Sequence, residues 1–107
     1  MGELLASIAF QSAIIEWRGP APFLFVPIPE EHFGEIRWAA REVSYGWGVV
    51  PVEALIDGIA FKTSLFPRDG SYLLPVKIAV QRAANLVLGD EVRVQLQIHS
   101  SPSRLSR

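Results

Sequence analysis

Val50-Pro51-Val52-Glu53-Ala54-Leu55-Ile56-Asp57-Gly58-Ile59-Ala60-Phe61-Lys62-Thr63-Ser64-Leu65 reads as two extended runs joined by Asp57-Gly58. In the first run Val52, Ala54 and Ile56 fall on one side and Glu53 on the other, the period of two that a half-buried strand requires. Asp-Gly between two such runs is the pair that two-residue hairpins select, because both central positions of a type I′ turn need positive φ. A hairpin of Val50 to Ile56 against Ile59 to Phe66 follows, and with it a mainly β fold.

Outward from that hairpin the chain repeats itself. Residues 58–65 read Gly-Ile-Ala-Phe-Lys-Thr-Ser-Leu, and residues 7–14 read Ser-Ile-Ala-Phe-Gln-Ser-Ala-Ile. Each copy is followed by an apolar run ending in proline, Phe23 to Pro27 in one case and Tyr72 to Pro75 in the other. Each then continues through a helical stretch into an alternating strand, Val50 to Ile56 or Val92 to Ile98. The expected fold is mainly β with two short helices, a six-stranded pseudo-two-fold β-barrel in the order ββαβ-ββαβ. Closure into a barrel is expected because it removes exposed strand edges.

The remaining elements fall into this frame. Ile8 to Glu16 reads as the first strand, broken by Arg18-Gly19-Pro20-Ala21-Pro22, where two prolines remove backbone donors. A helix is predicted to start at Pro29, with Glu30 and Glu31 where the helix dipole favours negative charge. Phe33, Ile36 and Ala40 are its predicted apolar face. Tyr45-Gly46-Trp47-Gly48 and Pro67-Arg68-Asp69-Gly70 read as turns. Tyr72 to Val76 is the fifth strand, Ile78 to Leu86 the second helix, and Gly89-Asp90 closes that helix. Residues 1–99 are expected to form one barrel domain and residues 100–107 a frayed tail with little to bury.

At 107 residues the chain is long enough for one domain with a real core. It contains no cysteine, so disulfides, thiolate metal sites and cysteine nucleophiles are excluded. Its longest uncharged run, Leu4 to Ile15, has 12 residues and is too short to cross a membrane as a helix. No basic segment precedes an apolar core at the N-terminus, so the expected location is cytoplasmic, with no membrane partner. Net charge is −1 but unevenly distributed: residues 1–57 sum to −5 and residues 58–107 to +4. Two packed halves compensating each other's field would account for this, as would an anion-facing surface on the second half.

No catalytic constellation is legible. His32 and His99 have no acidic partner at a metal-site spacing, so solvent-exposed histidines are expected, with no metal and no cofactor. No Gly-x-Ser-x-Gly elbow is present, and Gly46-x-Gly48 lacks a third glycine and precedes a strand. The best candidate ligand site is Lys62, Thr63 and Ser64, with Arg68, Tyr72 and Lys77 nearby. Lys62 and Ser64 share a strand face, and hydroxyls beside cations suit a phosphate or carboxylate. The plainer account is that Thr63 fills a strand and the lysines are solvated edge residues that discourage aggregation. Trp17, Trp38, Tyr45, Trp47 and Tyr72 are expected to cap barrel ends ahead of forming a contact surface.

Val52 to Pro67, continuing through Gly70-x-Tyr72-Leu73-Leu74-Pro75-Val76-Lys77 to Gly89-Asp90-x-Val92-x-Val94, resembles the bacterial family called domain of unknown function 1905. The likeness spans roughly residues 8–98. It implies a small barrel similar to the double-split barrel of bacterial antitoxins and transition-state regulators, with both interlocking units in one chain. Pro51 departs from the family's pattern and removes one ladder donor, so a bulge or an edge is expected there. The expected function is a non-catalytic binding or interaction module for a small anionic ligand or a protein partner. The alternative is a nucleic-acid-binding regulator by analogy with antitoxin-like barrels, which the acidic first half disfavours. Either a monomer or a weak homodimer fits, because the built-in repeat removes the need to dimerise for closure.

Overall fold

Alternation along the strands decides which side chains meet inside. In a computed structural model describing residues 3–17, 23–43 and 48–100, seven strands and two helices form. They are β1 (Leu4–Ala13), β2 (Ile15–Trp17), β3 (Phe23–Pro27), α1 (Phe33–Val43), β4 (Val50–Ile56), β5 (Ile59–Arg68), β6 (Ser71–Val76), α2 (Ile78–Ala83) and β7 (Glu91–His99). The strands make one curled antiparallel sheet, a half-barrel, in the order β1-β7-β4-β5-β6-β3-β2. Inward positions alternate cleanly: Ala6, Ile8 and Phe10 on β1 are buried, as are Val92, Val94, Leu96 and Ile98 on β7. Among the described residues Tyr72 is the one buried side chain with a polar group, and no buried side-chain nitrogen or oxygen lacks a partner.

The strand count is seven and not six because the predicted first strand is divided. Ile14 separates β1 from β2, and it is 1% exposed. Its N–H donates to the Asp90 carbonyl at 2.8 Å and its carbonyl accepts from Gly89 N–H at 3.0 Å. Before Ile14 the chain pairs with β7; after it the chain pairs with β3, Ile15 facing Phe25. β5 makes a similar handover without breaking. Leu65, fully buried, is the last residue paired with β4, and Phe66 is the first paired with β6.

The Asp57-Gly58 turn forms as predicted, and the turn predicted over Pro67 to Gly70 narrows to Asp69-Gly70, with Pro67 and Arg68 at the end of β5. Asp57 and Gly58 have φ of 49° and 82°, and Asp69 and Gly70 have 50° and 80°, the doubly positive pattern of type I′ hairpins. Pro51 faces Ser64 on β5, while β4 pairs with β7 only from Glu53 to Ile56. The proline therefore lies where β4 has a neighbour on one side, as its missing N–H requires.

The helices differ in detail from expectation. Pro29 is extended and a 3-10 turn, Glu30–His32, leads into α1. Ile36, Ala39 and Val43 form the buried stripe of α1, with Phe33 and Ala40 half-buried beside it. α2 ends at Ala83 instead of reaching Leu86, because Asn85 turns left-handed with φ of 57°. Trp38 is 52% exposed and caps nothing. Tyr72 does pack inside, its ring edge-on to Phe33 at 5.8 Å. The break at residues 18–22, Tyr45, Trp47, the side chain of Trp17 and the tail at 101–107 lie outside the described residues.

Truncating a handover residue should be costly. Ile14→Ala and Leu65→Ala are each expected to lower stability by about 2–5 kcal/mol in urea denaturation. A loss under about 1 kcal/mol at either position would show that the site collapses around the cavity and that its packing is not critical. Gly58→Ala should cost about 1–2 kcal/mol through left-handed strain alone, because an added Cβ meets nothing within 4 Å.

Candidate functional site

The six residues singled out from sequence do not converge. Lys62 and Ser64 sit on the outer face of β5, and Thr63 points inward opposite buried Val52. Tyr72 belongs to the core, 8% exposed. Arg68 is at the end of the β5–β6 hairpin, its Nε 3.7 Å from the Asp69 carboxylate and its carbonyl accepting from Ser71 Oγ at 2.8 Å. Lys77 is exposed at the start of α2, where its carbonyl accepts from Gln81 N–H at 2.9 Å. Only Lys62, Thr63 and Ser64 share a neighbourhood.

That neighbourhood is part of a larger feature. Register brings outward side chains of four strands into transverse rows, because side chains directly opposite on adjacent strands lie on the same face. One row is Ser7, Gln97, Glu53 and Lys62, on β1, β7, β4 and β5 in turn. The next is Ala9, Gln95, Leu55 and Ala60. The alanines of the two Ile-Ala-Phe phrases thus flank the same row from opposite sides.

Three depressions follow the β4–β7 pair along this outer face. The largest, about 430 Å³, lies over the two rows and is bordered by Ala9, Leu55, Ala60, Gln95 and Gln97. A second of about 180 Å³ shares Glu53 and Gln97 with it and extends to Pro51, Lys62 and His99. A third of about 160 Å³ shares Leu55 and Gln95 and extends to Asp57 and Arg93. Shared walls make the three one groove. The short alanine side chains leave room beside Leu55 and Gln95, and strand twist bends the four strands away from a flat face.

The groove's chemistry is mixed. Its middle holds two carboxamides, each with donors and an acceptor, beside one aliphatic side chain. One end pairs Glu53 with Lys62 across the hairpin, with His99 beyond them; the other has Arg93 and Asp57. His99 is half-buried at the groove, a correction to the expectation of a solvent-exposed residue. His32 departs from it too: its ring lies 5.9 Å from that of Phe10 and its Nε2 3.6 Å from the Glu31 carboxylate, away from the groove. Among the described residues no three His, Cys, Asp or Glu side chains gather as metal ligands, and no helix is long and apolar enough to cross a membrane.

Sequence reasoning passed over Gln95, Gln97, Ala9 and Ala60. The polar outer positions of β7 were visible as alternation, but nothing local said that this strand would lie in the middle of a four-stranded face.

Fold and groove together define a small antiparallel β half-barrel with two short helices and an open groove of mixed chemistry on its outer face. The family model described as domain of unknown function (DUF1905) matches residues 10–96, and the chain belongs to that family. No curated protein matches the chain.

Glu53 and Lys62 face each other directly, so charge reversal tests the register at the groove's end. Lys62→Glu should cost about 0.2–1 kcal/mol at low salt, less at high salt, and Glu53→Lys combined with Lys62→Glu should restore most of it. Equal losses in the single and double variants would show that the two side chains do not interact.

Proposed function

We propose that this chain is a binding or interaction module whose recognition surface is the outer groove along β4 and β7. The observation that carries the proposal is the continuity of that groove, built from hydrogen-bonding side chains of four strands that contribute nothing to the core. The occupant is a small anionic ligand or a segment of a protein partner. A polyanion is the poorer fit, because a nucleic acid laid along the groove would meet Glu53 and Asp57 as well as Lys62 and Arg93, and phosphate attraction dominates such binding.

The finer architecture proposed is a double-split barrel of two ββαβ halves related by an approximate two-fold axis. Its support is the pairing pattern. Exchanging the halves converts β1–β7 into β5–β4, converts β2–β3 into β5–β6, and leaves β4–β7 and β3–β6 as they are. Ile14 and Leu65, in corresponding places of the repeated octapeptides, are the two handover residues. On this reading the axis passes between Gln95 and Leu55. Lys62 then corresponds to Gln11 and Glu53 to Arg93, so the two ends of the groove have diverged in charge. An asymmetric site on a symmetric scaffold gives a ligand one direction of entry.

The test is a titration of ¹⁵N-labelled protein with inorganic phosphate and with a set of neutral polar fragments, followed by amide shifts. Shifts concentrated in Glu53, Leu55, Gln95 and Gln97 are expected. Shifts scattered over the surface, or confined to α1 and α2, would sink the proposal.

A further inference from the structure

Resting on the groove as the recognition surface, we propose that its occupant is an extended, uncharged peptide segment of about six residues, held through its backbone by Gln95 and Gln97. The first argument is spacing. Gln95 and Gln97 are two apart on one strand and both exposed on the outer face, so their carboxamides repeat about every 6.6–6.8 Å along β7. An extended peptide presents its N–H and C=O groups toward one side with the same two-residue period. Each carboxamide offers both donors and an acceptor, so each can pair with the N–H and C=O of one residue, which in an extended chain point to the same side.

The second argument is length. The groove runs from Arg93 at one end to His99 at the other, and six residue steps of strand cover roughly 20 Å. An extended hexapeptide has the same span. Depth agrees with this: Ala9 and Ala60, the shortest side chains of the central row, stand on either side of Gln95 and Leu55, leaving room for a backbone to lie close to the carboxamides.

The third argument is charge. Each end of the groove carries one acid and one base, Glu53 with Lys62 and Asp57 with Arg93. An occupant of strong net charge of either sign would meet a like charge at both ends. A segment without charged side chains meets none, and Leu55 offers its central residue an aliphatic contact. Specificity then comes from small side chains, because with the backbone edge turned to the carboxamides they run sideways at alternate positions over Ala9 or over Leu55 and Ala60.

The experiment uses the full ¹⁵N-labelled chain and a library of N-acetylated, C-amidated hexapeptides built from Ala, Ser, Thr, Val and Gln. The expected result is a shift of the Gln95 and Gln97 side-chain NH₂ resonances. Affinity for the best peptide should fall at least tenfold in the Gln95→Leu/Gln97→Leu double variant, whose backbone amide spectrum should otherwise be unchanged. As a measurement independent of that variant's folding, N-methylating the peptide at one set of alternate residues should abolish binding and at the other should not. Binding that survives the double substitution, indifference to N-methylation, or no peptide shift at millimolar concentration would each overturn the proposal. Phosphate shifting Lys62 and Arg93 while every peptide fails would remove the peptide and leave the binding module standing. Silence of the whole outer face toward phosphate, fragments and peptides would remove both.

Discussion

Ile14 holds the two ends of the sheet together. In sheet order β1 and β2 are the farthest apart, yet in the chain one residue separates them. That residue must leave one partner strand and join another without stranding its own backbone polar groups, whose desolvation would be costly. Its N–H and carbonyl are taken by Asp90 and Gly89, the residues just before β7. The side chain, 1% exposed, turns into the core at the same point. The curl of the sheet, the packing of its inner face and the presentation of its outer face all depend on this handover.

The inner and outer faces have different jobs because the pleat separates them. The fully buried inward positions are aliphatic, so stability comes mainly from apolar burial. Outward positions of β1, β7, β4 and β5 are released from that duty. Groove residues can therefore change chemistry without cavity or strain. On β3 and β6 the positions facing away from Val26 and Leu74 are apolar too: Phe25 faces Pro75, and Pro27 faces Leu73, which is 8% exposed.

Local sequence signals in this chain differ in reach, and the limit has one physical cause. Asp57-Gly58 and Asp69-Gly70 announced their turns because positive φ is a local demand that few residues meet. Val50 to Ile56 and Val92 to Ile98 announced their buried faces through alternation. Strand geometry spreads the candidate cluster of Lys62, Thr63, Ser64, Arg68, Tyr72 and Lys77: Tyr72 turns inward against Phe33, Arg68 ends β5, and Lys77 stands at the start of α2, as its place before Ile78 implies. α2 stopped short because Asn85 adopts a left-handed conformation that its neighbours in sequence did not advertise.

The amino-acid order alone determined the elements, their turns and the side of each strand that would be apolar, since each follows from φ preferences and a period of two. It also carried the twin octapeptides and the family likeness. Outside the hairpin that Asp57-Gly58 announces, only the tertiary structure decided which strands are neighbours and in what register. Alternation marks a face but is silent about the strand beside it, and a row such as Ala9, Gln95, Leu55 and Ala60 exists only after residues far apart in the chain are brought level. The groove is a property of register, and register is set by the packing of the inner face that the groove itself never touches.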